Sequence, residues 1–537
     1  MSLLYTKSDR RILPRWRASK QATQNTDFTA HKPVATQPAL SGNILTEAIQ
    51  DFDADSTIGT AADLLSKAII AGNSDAASRA IEFIRQNEDK APRTLINLVS
   101  DKNEEATDEN EVKTIRRLLT INPKNPMLWS DLARHFASIG DRSRAKRCMT
   151  VALQLAPNHR WILRTASRFL AHQGQNIEAH KLLADHPLTR TDPWLMAAEL
   201  ACAQAAGRAP KYWRQSNDAI RFQSSAPKHL SELATAIAMM ELEAGQKKKA
   251  KKFVAKGLDD PTENTLAQIM WARINRHLSG EIGSGMIVQD RRDAYEAICC
   301  RAVDQGNLLV AKEAATKWGE DEPFAARPRA ELAFIASLLD DYELTIEMAC
   351  KVQIVDDERD ETLELNSIFA LLSSGKLTPE NDRTQIESIY KKLRKVSEGG
   401  KDNAYHGIAN LGLWCYRYGD KALGHEFYQQ AIKIAEKYHL EAASVAATFA
   451  AREALLAKDI NFLDVLKQAH DLTRRSKHKG SEFYLRKLEA LRCAPQDADK
   501  ILSPASAHKF LKPALPELNY HLENDGNNLV LYIPKKR

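Results

Sequence analysis

Long apolar runs are missing from this chain of 537 residues. The longest mostly apolar stretches, Leu233 to Met240 and Ala443 to Ala450, fall far below the roughly 20 residues that cross a bilayer. No membrane span is expected, and the basic N-terminus lacks the apolar centre of a signal peptide. Cysteine is sparse: seven residues, an odd number with no repeated spacing. That excludes a disulfide framework and predicts a reducing, cytoplasmic setting. Aromatics make up only 7%, and 22 glycines with 20 prolines are few for this length, which excludes a low-complexity chain. Catalytic spacings are also lacking. There is no H-E-x-x-H, G-x-S-x-G, G-x-x-x-x-G-K-[S/T] or C-x-x-C. His180 and His186 are the nearest histidine pair within one segment, without a third ligand beside them. No catalytic residue, no metal ligand and no cofactor is expected, and the chain reads as a non-enzyme.

Charge is present but unevenly placed. The first 40 residues carry Lys7, Arg10, Arg11, Arg15, Arg17, Lys20 and Lys32 against Asp9 and Asp27, a net of +5. Lys535, Lys536 and Arg537 add +3, and the whole chain is +6, so the body between is near −2. Gln21 to Ser41 is rich in Gln, Thr and Pro and reads as linker. Asp101 to Glu111 is an acidic run, expected as an extended loop. The Lys247-Lys248-Lys249-Lys251-Lys252 run reads as a solvated helix face.

What is abundant is a period. Gly72, Gly140 and Gly174 stand 68 and 34 residues apart, and Ala77, Ala145 and Ala179 follow each by five. The clearest unit runs from Asn125 to His159. Trp129, Leu132, Ala133 and Phe136 share one helical face. Gly140 turns the chain, Ala145, Met149 and Ala152 line the second helix, and Pro157 closes it. Gly306 and Ala311 repeat the turn and the small residue. This pattern resembles the tetratricopeptide repeat (TPR), 34 residues per helix-turn-helix unit. The resemblance covers roughly residues 58 to 490 and implies an all-α, right-handed superhelical solenoid of about 10–12 helix pairs. Asp340 and Thr345 stand where glycine and alanine belong, so that unit reads as decayed.

The predicted organisation is a basic, largely disordered arm and linker (1–45), TPR-like repeats (46–340), degenerate repeats or a hinge (341–400), further repeats (401–495) and an irregular cap with a basic tail (496–537). Asn528 to Pro534 has strand-like composition.

In the TPR family the first helix of each pair lines a concave groove along which ligand peptides lie. By register, Arg134, Trp161, Arg164, Arg168 and His172 are expected there, as a basic track with an aromatic platform for carboxylates. Further along, Asp293, Glu296 and Asp304 take the inward places, turning the groove acidic. Arg10, Arg11, Arg15, Trp16 and Arg17 form a separate binding element in the arm that orders on contact. The implied function is a scaffold or adaptor for one or more partner proteins. The alternative is a nucleic-acid-associated regulatory or sensor subunit of a multi-protein bacterial system, for example phage defence, that uses the basic arm.

Overall fold

A computed structural model describes residues 13–19, 44–71, 74–92, 95–96, 99, 108–274, 294–350, 357–398, 404–511, 521–525 and 528–532. Gly72, Asp293 and the 20–43 linker lie outside the described residues, as does most of the acidic run.

Among the described residues the chain forms twenty-four helices of nine residues or more. They are α1 (Ile44–Ala54), α2 (Ile58–Ala71), α3 (Ser74–Gln86), α4 (Asp108–Ile121), α5 (Pro126–Ser138), α6 (Arg142–Leu155), α7 (Arg160–His172) and α8 (Asn176–Ala184). Next come α9 (Pro193–Ala205), α10 (Trp213–Arg221), α11 (Pro227–Glu243), α12 (Lys247–Gly257), α13 (Glu263–Ile274), α14 (Tyr295–Gln305), α15 (Leu308–Asp321) and α16 (Ala326–Leu338). The last eight are α17 (Tyr342–Cys350), α18 (Asp357–Ser373), α19 (Arg383–Glu398), α20 (Ala404–Tyr418), α21 (Lys421–Tyr438), α22 (Leu440–Leu456), α23 (Phe462–Ser476) and α24 (Lys479–Cys493). Three of these fall within 341–400. Short helical turns follow α24. A two-stranded antiparallel hairpin then pairs β1 (His521–Asp525) with β2 (Asn528–Tyr532).

The repeat signature explains the pairing. Gly140, Gly174, Gly245 and Gly306 all have φ between 74° and 80°, the left-handed region that a side chain disfavours. Each ends a first helix, and the next residue caps or opens the second. Asp141 accepts from the Arg144 N–H at 2.9 Å, and Asn307 takes the same place before α15. Ala145, Ala179, Ala250 and Ala311, five residues after each glycine, are all fully buried. At those points the two helices of a pair touch, and only a methyl group fits. First helices begin as regularly: Asn125 and Asp192 cap α5 and α9, with Pro126 and Pro193 in the first turn.

Asp340 departs from this pattern without breaking it. It keeps the left-handed turn at φ 60° despite its side chain. Its buried carboxylate accepts from the Tyr342 hydroxyl at 2.8 Å, the Tyr484 hydroxyl and the Lys487 ammonium. The last two belong to α24. The position that reads as decay is where a distant helix docks.

The apolar core is a chain of clusters along the solenoid, as neighbour-only packing requires. One cluster is composite. It joins α4 to α7 with Phe324 and Ala325 from the α15–α16 connection and with Trp16 from the N-terminal arm.

Candidate peptide groove

An arginine cannot shed its charge, so a buried Arg-Trp-Arg sequence needs carboxylates for two guanidinium forks and apolar walls for the ring. Leu13 to Ser19 finds both. Leu13 to Ala18 has no helix or strand structure, and it runs between α5 and α7 on one side and α13, α14 and α15 on the other. Trp16 is 0% exposed. Its ring lies 4.8 Å from Phe324, and Phe169 of α7 meets it edge-on at 5.6 Å.

Each flanking arginine spans two acids. Arg15 reaches Glu322 at 2.7 Å and also pairs with Glu296 of α14. Arg17 reaches Asp321 at 2.7 Å and pairs with Glu263 of α13. The ends of the segment are held as well. Ser19 donates its backbone N–H to Asp131 of α5 at 2.9 Å, and Asn264 of α13 donates to the Leu13 carbonyl at 3.1 Å.

The acids are themselves fixed. Trp271 and Trp318 donate their indole N–H groups to Glu296 and Glu322, the latter at 3.0 Å. Arg327 pairs with Glu296 at 2.9 Å and stacks 4.1 Å over Trp271. Burial alone would raise the Glu322 carboxyl, but Arg15 and Arg168 outweigh it and hold it at about 2. Burial works on Glu296 in the same way and is overcome by Arg15 and Arg327, leaving it below the usual carboxylate range. At Asp321 burial prevails over Arg17, and the carboxyl sits above its ordinary value.

The structure places the sequence-predicted residues differently from an open basic track. Arg164 is 2% exposed, held at 2.6 Å from Glu232 of α11 and stacked 4.7 Å over Trp194. Trp161 is 2% exposed and belongs to the core cluster, so it offers no platform. The physical reason is charge. Successive turns of the superhelix bring acids against these arginines, and a buried guanidinium needs that partner. Arg134 points into the groove wall and donates to the Glu320 and Asp321 carbonyls at 3.0 Å each, at the C-terminal end of α15. Arg168 and His172 do reach the groove. Both pack on Phe324, at 5.2 and 5.1 Å. Burial and Arg168 depress the His172 ring to about 3, so it is neutral near pH 7.

Of the arm, Arg15, Trp16 and Arg17 are in the groove, while Arg10 and Arg11 lie outside the described residues. The two elements that the sequence treats separately, arm and groove, are brought together. Glu296 was legible from its inward register. Phe169, Glu263, Asp321, Glu322 and Phe324 carry no motif in the sequence beyond the Glu322-Pro323-Phe324 step at a repeat boundary.

Among the described residues no group of three or more His, Cys, Asp or Glu is placed to hold a metal ion. No described helix is long and apolar enough to cross a membrane.

No protein-family model matches the chain, and no curated protein matches it. Three solved structures show distant similarity. A human IFIT1 dimer with PPP-AAAA is 12% identical with a TM-score of 0.26, covering 80% of this chain and 94% of that one. The Cut9 and Hcn1 hetero-tetramer of the APC/C is 12% identical with a TM-score of 0.28, covering 90% and 96%. A circular tandem repeat protein with a novel repeat topology is 14% identical with a TM-score of 0.16, covering 87% and 95%. The TPR-like architecture therefore rests on this chain's own periodicity and helix pairs, with their left-handed turn glycines and buried alanines.

Proposed function

We propose that this protein is a non-enzymatic scaffold or adaptor that grips partner proteins along the inner surface of its helical repeats. One observation carries the reading: the repeats already hold the segment Leu13 to Ser19, non-helical through Ala18, by side-chain contacts from both walls of a groove. Such a groove recognises a peptide through charge and aromatic packing, one of the ways repeat proteins bind.

The nucleic-acid reading is less well supported. Phosphate contact needs exposed cations, and in this structure Arg15 and Arg17 are occupied by four carboxylates.

Affinity capture from the native host tests the proposal, using the full chain with and without nuclease. Protein partners retained after nuclease, and lost on charge reversal of groove acids, support it. Recovery that vanishes with nuclease overturns it in favour of nucleic-acid association.

A further inference from the structure

The groove has the chemistry of a specific receptor, and its observed occupant defines the ligand. Four acids line one pocket that receives both Arg15 and Arg17, while Phe169 and Phe324 take the ring of Trp16, the residue between the two arginines in sequence. That geometry reads three consecutive residues: a cation, a large aromatic ring and a cation. The described contacts all fall on Leu13 to Ser19 itself, so a segment of the same sequence from another chain presents the same groups.

We infer that this groove is a binding site for an Arg-aromatic-Arg segment of a partner protein, and that Leu13 to Ser19 is a built-in competitor that occupies it until such a partner arrives. This rests on the scaffold reading above and names the chemistry of its ligand.

Three features argue for the assignment. First, the site is over-determined for a structural tie. Two arginines meet four carboxylates, and two of these, Glu296 and Glu322, are themselves oriented by Trp271, Trp318 and Arg327. Second, the acids come from α13, α14 and the C-terminal end of α15 with its cap residue Glu322, so the site exists only once the repeats have stacked, as a ligand groove does in a solenoid. Third, a tethered occupant competes at a high effective concentration. An external ligand must overcome that occupancy, and its apparent affinity falls by the fraction of molecules whose groove is open. Recognition is therefore selective: a lone basic residue does not displace a segment held through two ion pairs on each arginine and a buried indole.

A fluorescein-labelled peptide with the sequence of residues 11–20 (Arg-Ile-Leu-Pro-Arg-Trp-Arg-Ala-Ser-Lys) is the probe. It is titrated by fluorescence anisotropy into the full-length wild type and into full-length R15A/W16A/R17A. The variant binds the peptide at least tenfold tighter than wild type, because its own segment no longer competes. Adding E296Q/E322Q to the variant removes at least tenfold of that affinity, and a peptide with alanine at the three central places binds neither protein. Equal or absent binding of the labelled peptide to wild type and to the folded variant overturns the inference, while a partner captured elsewhere on the repeats would leave the scaffold reading standing.

If the triple variant fails to fold, wild type alone decides. Excess unlabelled peptide speeds tryptic cleavage after Arg15 and Arg17 at least severalfold, whereas the alanine peptide does not; unchanged cleavage overturns the inference. A wild-type dimer in sedimentation that disappears with W16A also overturns it, by assigning the groove to a second copy's segment.

Discussion

Changing Asp340 to glycine would bring one repeat into line with the others, and pattern alone predicts stabilisation. Asp340 holds φ 60°, where a side chain costs about 1 kcal/mol relative to glycine. The structure predicts the opposite sign. The Asp340 carboxylate and the Lys487 ammonium are an ion pair with both side chains 0% exposed. Removing one partner of such a pair strands a buried charge and costs about 3–5 kcal/mol. Subtracting the backbone gain leaves D340G less stable by about 2–4 kcal/mol. Lys487 lies on α24, 147 residues away, so the loss falls first on the docking of that helix. Urea unfolding followed by circular dichroism reads the total, and hydrogen exchange reads α24. The second substitution K487M, which replaces the stranded ammonium by an apolar side chain of similar length, recovers most of the loss. A D340G variant as stable as wild type, or one whose defect K487M does not relieve, refutes the reasoning.

Further outcomes follow from the same packing. E232A leaves the buried Arg164 without its carboxylate and lowers stability by about 3–5 kcal/mol, measured as a fall in the urea midpoint. G412A places a methyl 2.7 Å from the Tyr428 ring and 3.0 Å from the Gly424 carbonyl, where α20 and α21 cross. This costs about 1–3 kcal/mol and lowers the melting temperature, whereas alanine at the open Gly174 site acts only through its left-handed φ. Burial lowers His159 and His478 to about 4 each, and burial with Arg168 lowers His172 to about 3. Unfolded histidine binds its proton near 6.5, so below that pH the unfolded state takes up more protons. The urea midpoint falls as pH drops from 7 to 5. In that window Glu322, held at about 2, stays ionised in the fold. A flat profile between pH 7 and 5 refutes the neutral burial of these rings.

Local chemistry made the helix pairs legible. A glycine that turns the chain and an alanine five residues on are short-range requirements, and they recur at Gly140, Gly174, Gly245 and Gly306. The groove was only partly legible, for reasons of distance. Arg15 meets Glu296 and Glu322 across 281 and 307 residues, a separation that no local period encodes. Composition made residues 1–45 look like a disordered arm, because a basic, Pro-rich segment has no apolar face of its own; Trp16 is buried by Phe169 and Phe324, which belong to other turns of the superhelix. Register pointed to Glu296 and Arg168, and both lie beside the arm, Glu296 paired with Arg15 and Arg168 over Phe324. It did not tell that Arg164 would be closed off, because that depends on Glu232 of a later repeat. Asp340 was misleading in a productive way: a deviation from the repeat turned out to be a tertiary contact.

The central claim, that the N-terminal arm lies in the groove of its own chain, is tested most directly by short-range cross-linking. Ser19 and Asp131 are joined by two hydrogen bonds, one from the backbone at 2.9 Å. S19C/D131C is prepared with the exposed Cys493 changed to serine, treated with a short bismaleimide and digested for mass spectrometry. The predicted result is an intrachain link between residues 19 and 131 in the monomer, lost when W16A is added. Absence of that link, or its persistence in the presence of W16A, would contradict the account.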